Sequence, residues 1–430
     1  MSISRRKLIV GAASAAAAMT APLATEGLAE AGQTPLSTSG TSSLPAPKDS
    51  GIDHIVVVMM ENRSFDHYLG WLPGADGRQS GLKYTDRDGV AHATHHLDTA
   101  QGCQYNDPDH SYEGGRIEYN DGRCDGWLRA GTNDEFSIGY YQPEDLDFYG
   151  RAAPAWTVCD RYFSAIMAET YPNRFYQHAA QTDRIHNSTD TSTLPTIWDR
   201  LADAGLKGKY YYHDVPFTAL WGTKLLGISN PYADFLTDCA AGTLPQVSFV
   251  DPKFLDEGSG TSADDHPHGD IRAGQYFLNE VYHAVTKSPA WSRTLLVINY
   301  DEWGGFFDHV APSTAPDAHP DWGLRGFRTP CLVVSPRARR GYVAHGVYDH
   351  TSVLKAMEWR WNLPSLTPRD AAANNIAEVL DFTSPPSLDA PQWSVPPVVG
   401  QPCAPAVAPD YEEWRKLRDK AQSLGWKLPS

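Results

Sequence analysis

Two short apolar runs end in paired oxygen donors. Ile55 to Met60 stops at Glu61-Asn62, and Thr294 to Asn299 stops, one residue on, at Asp301-Glu302. Carboxylates and an amide are the ligands that hard divalent cations favour. Left unpaired in a buried place, such carboxylates would cost several kcal/mol. A cation is the simplest remedy, and a helix cap or an Arg partner is the plainer one. Thr170 stands two residues before Pro172 in Ala168-Glu169-Thr170-Tyr171-Pro172-Asn173-Arg174. Proline suits the first turn of a helix, so Thr170 is expected at a helix N-terminus, a favourable place for an anion. Metal coordination and the helix dipole would both favour the alkoxide of its hydroxyl. His110, His266, His309 and His350 fall in loops beside predicted elements, where an imidazole could deliver a proton. Each of them taken singly is equally a packing histidine.

These residues need a scaffold that gathers the ends of separate strands. An unbroken apolar run bounded by polar residues fits a strand buried on both faces. Strands are expected at His54 to Met60, Lys209 to His213, Gln246 to Val250, Thr294 to Asn299 and Pro330 to Ser335. Helices are expected at Leu146 to Trp156, Pro172 to Thr182, Thr196 to Ala204, Ile271 to Thr286, Thr351 to Trp361 and Tyr411 to Ser423. The alternation points to an α/β sheet covered by helices on both faces. In such sheets ligands bind beyond the carboxyl ends of the strands, where Glu61 and Asp301 fall. Residues 74–141 are polar and rich in Gly, Asp and His, and are expected to be an excursion over the active face.

The chain begins with a twin-arginine pattern, Arg5-Arg6-Lys7, before an Ala-rich apolar segment and an A-x-A site at Ala29-Glu30-Ala31. Residues 1–31 are therefore expected to be a removable export signal, giving a secreted or periplasmic protein. Residues 32–50 suit a flexible linker, 51–384 a catalytic domain, and 385–430 a Pro-rich wrap with a last helix. The full chain has a net charge of −16. Removing 1–31 leaves 33 basic against 50 acidic residues, or −17. That charge excludes nucleic acid as a partner, since phosphate backbones need a basic groove. It disfavours an anionic membrane but leaves a zwitterionic lipid surface open. Six cysteines in an exported chain permit disulfides. Cys103 and Cys124 bracket one loop and are the expected pair, whereas Cys159 and Cys331 suit buried thiols. The 13 Trp and 21 Tyr suit either the core or choline-like contacts.

Glu61-Asn62-Arg63-Ser64-Phe65-Asp66-His67, Thr170-Tyr171-Pro172-Asn173-Arg174, His266-Pro267, Asp301-Glu302-Trp303-Gly304-Gly305-Phe306-Phe307-Asp308-His309-Val310 and His350-Thr351-Ser352 occur in this order. Together they resemble the phosphoesterase family of bacterial and plant non-specific phospholipases C and related bacterial acid phosphatases. The resemblance covers roughly 53–381. It implies an alkaline-phosphatase-like fold and a divalent metal held by Glu61, Asn62, Asp301 and Glu302, with Thr170 over it. It implies Thr170 as nucleophile, where related acid phosphatases use Ser and sulfatases a modified Cys. His110 and His266 resemble the family's phosphate-contacting histidines, and His309 is a motif residue offered as a proton donor. Glu169 departs from the small residue often found before the Thr. The resemblance implies a phospholipid or phosphate-ester substrate, cleaved through a phosphothreonine intermediate. The alternatives are an acid phosphatase on small monoesters and an exported binding protein without catalysis.

Overall fold

The computed structural model describes residues 44–403 and 413–429. The expected export signal and most of the linker lie outside the described residues. One sheet is built from β1 (His54–Met60), β2 (Thr157–Cys159), β3 (Gly208–Tyr212), β4 (Ser229–Pro231), β5 (Val247–Val250), β6 (Thr294–Tyr300), β7 (Cys331–Val334) and β8 (Tyr342–Ala344). Their order across the sheet is β8-β2-β7-β6-β1-β5-β3-β4. Only β7 runs against its neighbours. The other pairings are parallel. The architecture is thus α/β with a mostly parallel central sheet, as expected.

Every residue of β6, and Ile55 to Met60 of β1, is buried. Successive strand side chains point to opposite faces, so burial of all of them means both faces are covered. Each buried Val, Ile, Leu or Met contributes roughly 1.5–3 kcal/mol. β1 and β6 pair in register from His54 opposite Thr294 to Met60 opposite Tyr300. Both strands therefore stop at one level, and Glu61 and Asp301 leave the sheet side by side. β5, on the other flank of β1, ends beside them at Asp251.

The helices that matter for the site are α1 (Phe65–Leu69), α2 (Tyr112–Tyr119), α3 (Thr170–Ala179), α4 (Ile271–Thr286), α5 (His350–Trp361) and α6 (Glu413–Ser423). α4 has its expected bounds. Asp349 caps α5 by accepting from the Thr351 N–H, and the Ser352 Oγ accepts in turn from the Asp349 backbone N–H, completing a capping box. The helix after Glu169 starts at Thr170 rather than at Pro172. The polar excursion also contains an unexpected helix, α2, capped by Ser111. Its Gly114 and Gly115 lower helix propensity, which hid it. The structure needs them small: a Cβ on Gly115 would come within 2.7 Å of Met167.

The cysteine expectation is corrected. Cys103 is bonded to Cys403, across a sequence separation of 300, with the Cα atoms 5.4 Å apart. Cys124 is a buried free thiol. Closeness in sequence favoured the short loop, but the extended 385–403 stretch returns Cys403 to the start of the excursion. Cys159 and Cys331 are buried thiols as expected. Among the described residues no helix is long and apolar enough to cross a membrane.

Candidate active site

At the strand ends the backbone turns sharply. Asn62 adopts the left-handed conformation, φ 61°, which Asn tolerates better than most residues. Its N–H donates to Asp301 Oδ1 at 3.0 Å, and its side-chain amide donates to Glu302 Oε1. The Glu302 N–H also donates to Asp301 Oδ1, at 2.7 Å. Gly304, φ 65°, closes the turn, and a Cβ there would lie 2.0 Å from the Asn62 carbonyl oxygen. Only glycine fits at that position. Asn62, Asp301 and Glu302 are thus tied into one knot, and Glu61 stands beside it, forming its close carboxylate group with Glu257 and Asp264.

The Thr170-Tyr171-Pro172-Asn173-Arg174 stretch explains itself residue by residue. Thr170 is the first residue of α3 and opens into a cavity. Pro172 lies in the first turn, where helix N–H groups have no intrahelical partner anyway. Asn173 braces the preceding turn, accepting from the Ile166 N–H at 3.0 Å and donating to the Ala168 carbonyl at 2.8 Å. Arg174 reaches back under the strand ends. Its guanidinium lies 3.0 Å from Glu61 Oε1, 3.2 Å from Asp251 Oδ1 and 3.6 Å from Asp301 Oδ2.

Arg174 does not balance this cluster. Neither oxygen of Glu61 receives an aligned hydrogen bond, the Arg174 approach being a charge contact only. Asn62 Oδ1 and Asp301 Oδ2 also lack a donor. Burial pushes the Glu61 carboxyl well above the usual range, and the charge on Asp301 adds to it while Arg174 opposes. Burial likewise raises Asp301 and Glu302. Hard, buried, unsatisfied oxygens on convergent side chains fit a divalent cation. Sequence reasoning missed three neighbours. Asp251 shares Arg174, and Glu257 and Asp264 each bring a carboxylate oxygen within 4.8 Å of Glu61. The strand-end position of Asp251 was a usable signal, whereas Glu257 sits in an irregular loop that offered none.

The cavity has a volume of about 300 Å³ and its walls include Thr170, His110, His266, Glu169, Glu257 and Trp414. His110 is oriented by a 2.8 Å contact between Nδ1 and the Pro108 carbonyl. Burial works against its charged form, but Glu302 and Asp107 outweigh this and lift it to about 10. Burial lowers His266 to about 3, with Asp107 opposing. The two rings stand 6.2 Å apart at an interplanar angle of 81°. One cavity thus pairs a cationic with a neutral imidazole, flanking a hydroxyl at a helix N-terminus. That arrangement can bind an anion, activate a nucleophile and supply a proton.

The remaining motif residues lie elsewhere. His309 does not line the cavity. Its Nδ1 is 2.5 Å from Asp66 Oδ2 and its Nε2 is 3.2 Å from Asp76 Oδ1. The Gly304-Gly305 turn carries the chain away from the strand end, so the expected proton donor is committed to α1. His350 stands beneath the site, its Nε2 2.7 Å from the Asp301 carbonyl and its Nδ1 3.1 Å from the Tyr162 hydroxyl. Arg63 donates to the carbonyls of Asp265 and His266, bracing the His266 loop.

The chain matches the model of the Phosphoesterase family over residues 52–364. It belongs to that family. It is 32% identical over 445 residues to "Phospholipase C B" of Mycobacterium tuberculosis, an alignment covering 84% of this chain and 83% of that protein. It is 30% identical over 400 residues to "Non-specific phospholipase C3" of Arabidopsis thaliana, covering 80% and 76%. Among solved structures, a protein in the alkaline phosphatase superfamily from Vibrio parahaemolyticus overlaps with a TM-score of 0.40 at 10% identity, covering 90% of this chain and 91% of that one. At that score the overlap is too loose to position any residue. All expected site residues, from Glu61 to His350, fall inside the family match. Glu413 and Trp414, which also line the cavity, fall outside it.

Proposed function

We propose that the protein is an exported, metal-dependent phosphoesterase, a phospholipase C that cleaves the glycerol-phosphate ester of phospholipids. The observation that carries this is the placing of Thr170: its hydroxyl opens at the N-terminus of α3 into a cavity with His110 and His266. Relatives named phospholipase C support the substrate class.

In this reading the phosphate seats between the α3 N-terminus and His110. Glu61, Asn62, Asp301, Glu302 and Thr170 would hold a divalent cation, which supplies charge neutralisation and a lowered hydroxyl pKa when bound. Thr170 Oγ1 attacks phosphorus in line as the bond to the diacylglycerol oxygen breaks. The departing oxygen takes a proton from His110, the protonated imidazole of the pair. Water then attacks the phosphothreonine, the P–Oγ1 bond breaks, and Thr170 recovers its proton. His266, neutral, takes the Thr170 proton in the first step and returns it to Oγ1 in the second, while the water's proton restores the imidazolium of His110.

The test is Thr170→Ala. Turnover of phosphatidylcholine should fall by at least about a thousandfold with the melting temperature unchanged, in line with the loss of a nucleophile that acts as part of a unit. Retained hydrolysis in a folded variant would sink the assignment. A second reading, an acid phosphatase, is favoured by the small volume of the cavity. Faster turnover of p-nitrophenyl phosphate than of phosphatidylcholine would select it. Absence of turnover on both, with ligand binding kept, would leave a binding protein.

A further inference from the structure

Asp107 is a buried acid with no evident duty in the fold. Its side chain is 5% exposed, and neither carboxylate oxygen receives a hydrogen bond. Buried polar groups are normally paired, and an orphan carboxylate weakens a fold. What Asp107 faces is an imidazole of the cavity, its Oδ2 lying 3.6 Å from His266 Nε2. At that distance the two make a charge contact rather than a hydrogen bond. Contacts of this kind in an unliganded site tighten when substrate is bound and a proton moves.

The backbone holds both partners in place. The chain from Asp107 to His110 crosses the turn beyond β6, where Pro108 lies over Gly305. A Cβ on Gly305 would come within 2.6 Å of the Pro108 Cβ. The Asp109 N–H donates to Asn133 Oδ1 at 2.6 Å. One residue past Asp107, the Pro108 carbonyl orients His110. This short stretch thus serves both histidines of the cavity. The His266 N–H donates to Asp264 Oδ1 at 3.0 Å, and its carbonyl accepts from Arg63 at 3.2 Å.

The surroundings of His266 otherwise resist its gaining a proton. Burial opposes the charged ring, Asp107 favours it, and His110, His268 and Arg63 oppose it. Glu257 Oε2 stands 3.9 Å from the same nitrogen, but burial drives Glu257 toward its neutral form. A base so placed needs an anion beside it to stabilise the imidazolium as it forms.

We propose that Asp107 is a positioning residue, which fixes His266 with its proton on Nε2 and stabilises the imidazolium formed when His266 takes the proton of Thr170. The inference deepens the phosphoesterase reading and rests on it for the role of His266. As Oγ1 bonds to phosphorus, its proton moves to the His266 ring. The same proton returns to Oγ1 when the phosphothreonine is hydrolysed. Asp107 gains and loses no proton in either step.

The test is a double-mutant cycle read as kcat on phosphatidylcholine and on p-nitrophenyl phosphate. Asp107→Asn should lower kcat about a hundredfold on both esters, with KM changed by less than about threefold. The loss is common to both because the base acts on Thr170, whatever the leaving group. Asp107→Glu, which keeps the charge, should recover about tenfold of that loss. In His266→Ala, the further change Asp107→Asn should lower kcat by no more than about threefold, since its partner is already gone. The melting temperature of Asp107→Asn should hold or rise, because an orphan buried charge is removed. An unchanged kcat in Asp107→Asn, an equally large second loss in the His266→Ala background, or a loss that tracks a fall in melting temperature overturns the proposal. NMR of the full-length protein with isotope-labelled histidine gives a second readout, with His266 assigned by its absence in His266→Ala. At about pH 7 the His266 proton should sit on Nε2, and a proton on Nδ1 also overturns the proposal. That readout needs no turnover, so a protein inert toward both esters would count against the phosphoesterase reading alone.

Discussion

Two buried clusters of acids, an arginine and a histidine lie behind the same motifs, and they differ in one respect. Around Arg328, every carboxylate oxygen of Asp66 and Asp308 has a partner. Arg328 donates to Asp308 Oδ1 at 2.9 Å and Asp66 Oδ1 at 3.1 Å, and its other N–H groups reach the carbonyls of Asp76 and Asp160. The His309 N–H donates to Asp66 Oδ2, and the Asp66 N–H to Asp308 Oδ2. Around Arg174, oxygens of Glu61, Asn62 and Asp301 have no donor. Both clusters bring three potential ligands together, with Glu257 and Asp264 completing the second around Glu61. In the first, an arginine already supplies the cation, and Asp66, Asp308 and Arg328 are fully buried. In the second, acids outnumber the arginine and the site borders a cavity. A balanced buried network holds the fold together, whereas an unbalanced one is waiting for a ligand.

The contrast is broken most severely at the arginines. Arg328→Met leaves Asp66 and Asp308 buried without a counter-charge, and should cost about 3–5 kcal/mol in urea unfolding. Arg174→Met should cost less when millimolar divalent cation is present, because the cation takes over the charge. Equal losses for both variants under all metal conditions would erase the distinction. Next in size is Glu61→Gln. Removing one acid from a buried cluster whose carboxylates outnumber Arg174 should raise the stability of metal-stripped protein, by about 1 kcal/mol or more. The same change should abolish the gain in melting temperature on adding metal. Asp66→Asn should do the opposite on both counts: lower stability, and leave the metal response intact. A metal response that survives Glu61→Gln would remove Glu61 from the ligand set.

How much of this was legible in the sequence follows the range of each interaction. β1, β6 and α4 carry their burial pattern locally, so runs such as Ile55 to Met60 identified them. Asp349 and Thr351 both suit the cap of α5 in the sequence, and the structure selects Asp349. The reversal of β7 is not written in Cys331-Leu332-Val333-Val334, since an apolar run looks alike in either direction. α2 was hidden because Gly114 and Gly115 are there for close packing on Asp109 and Met167, which outweighs helix propensity. The site was readable where ligands sit at strand ends, as for Glu61 and Asp301. It was unreadable where loops from distant parts of the chain return to it, as for Glu257, Cys403 and Glu413. His309 belongs to the same motif as Asp301, but two glycines between them send the chain to a different cluster.

The comparison is also sharpened through pH. His309 is raised above its ordinary value: burial opposes, but the hydrogen bond and charge of Asp66 prevail. A histidine with a raised folded-state pKa binds its proton more tightly when folded. Its stabilisation is complete below the unfolded value near 6.5 and is lost as pH rises through the folded value. His266 is the reverse case, held by burial at about 3. The folded state resists its protonation, so its contribution is present above about 6.5 and lost as pH falls toward 3. Each slope is at most about 1.4 kcal/mol per pH unit for one proton. Urea midpoints measured from pH 3 to 9 should therefore respond oppositely to the two substitutions. His309→Asn should flatten the decline on the alkaline side, because that histidine completes a balanced network. His266→Asn should flatten the decline on the acid side, because that histidine is kept neutral in a cavity. Identical pH profiles for the two variants would mean that the clusters do not differ in the way the unpaired oxygens indicate.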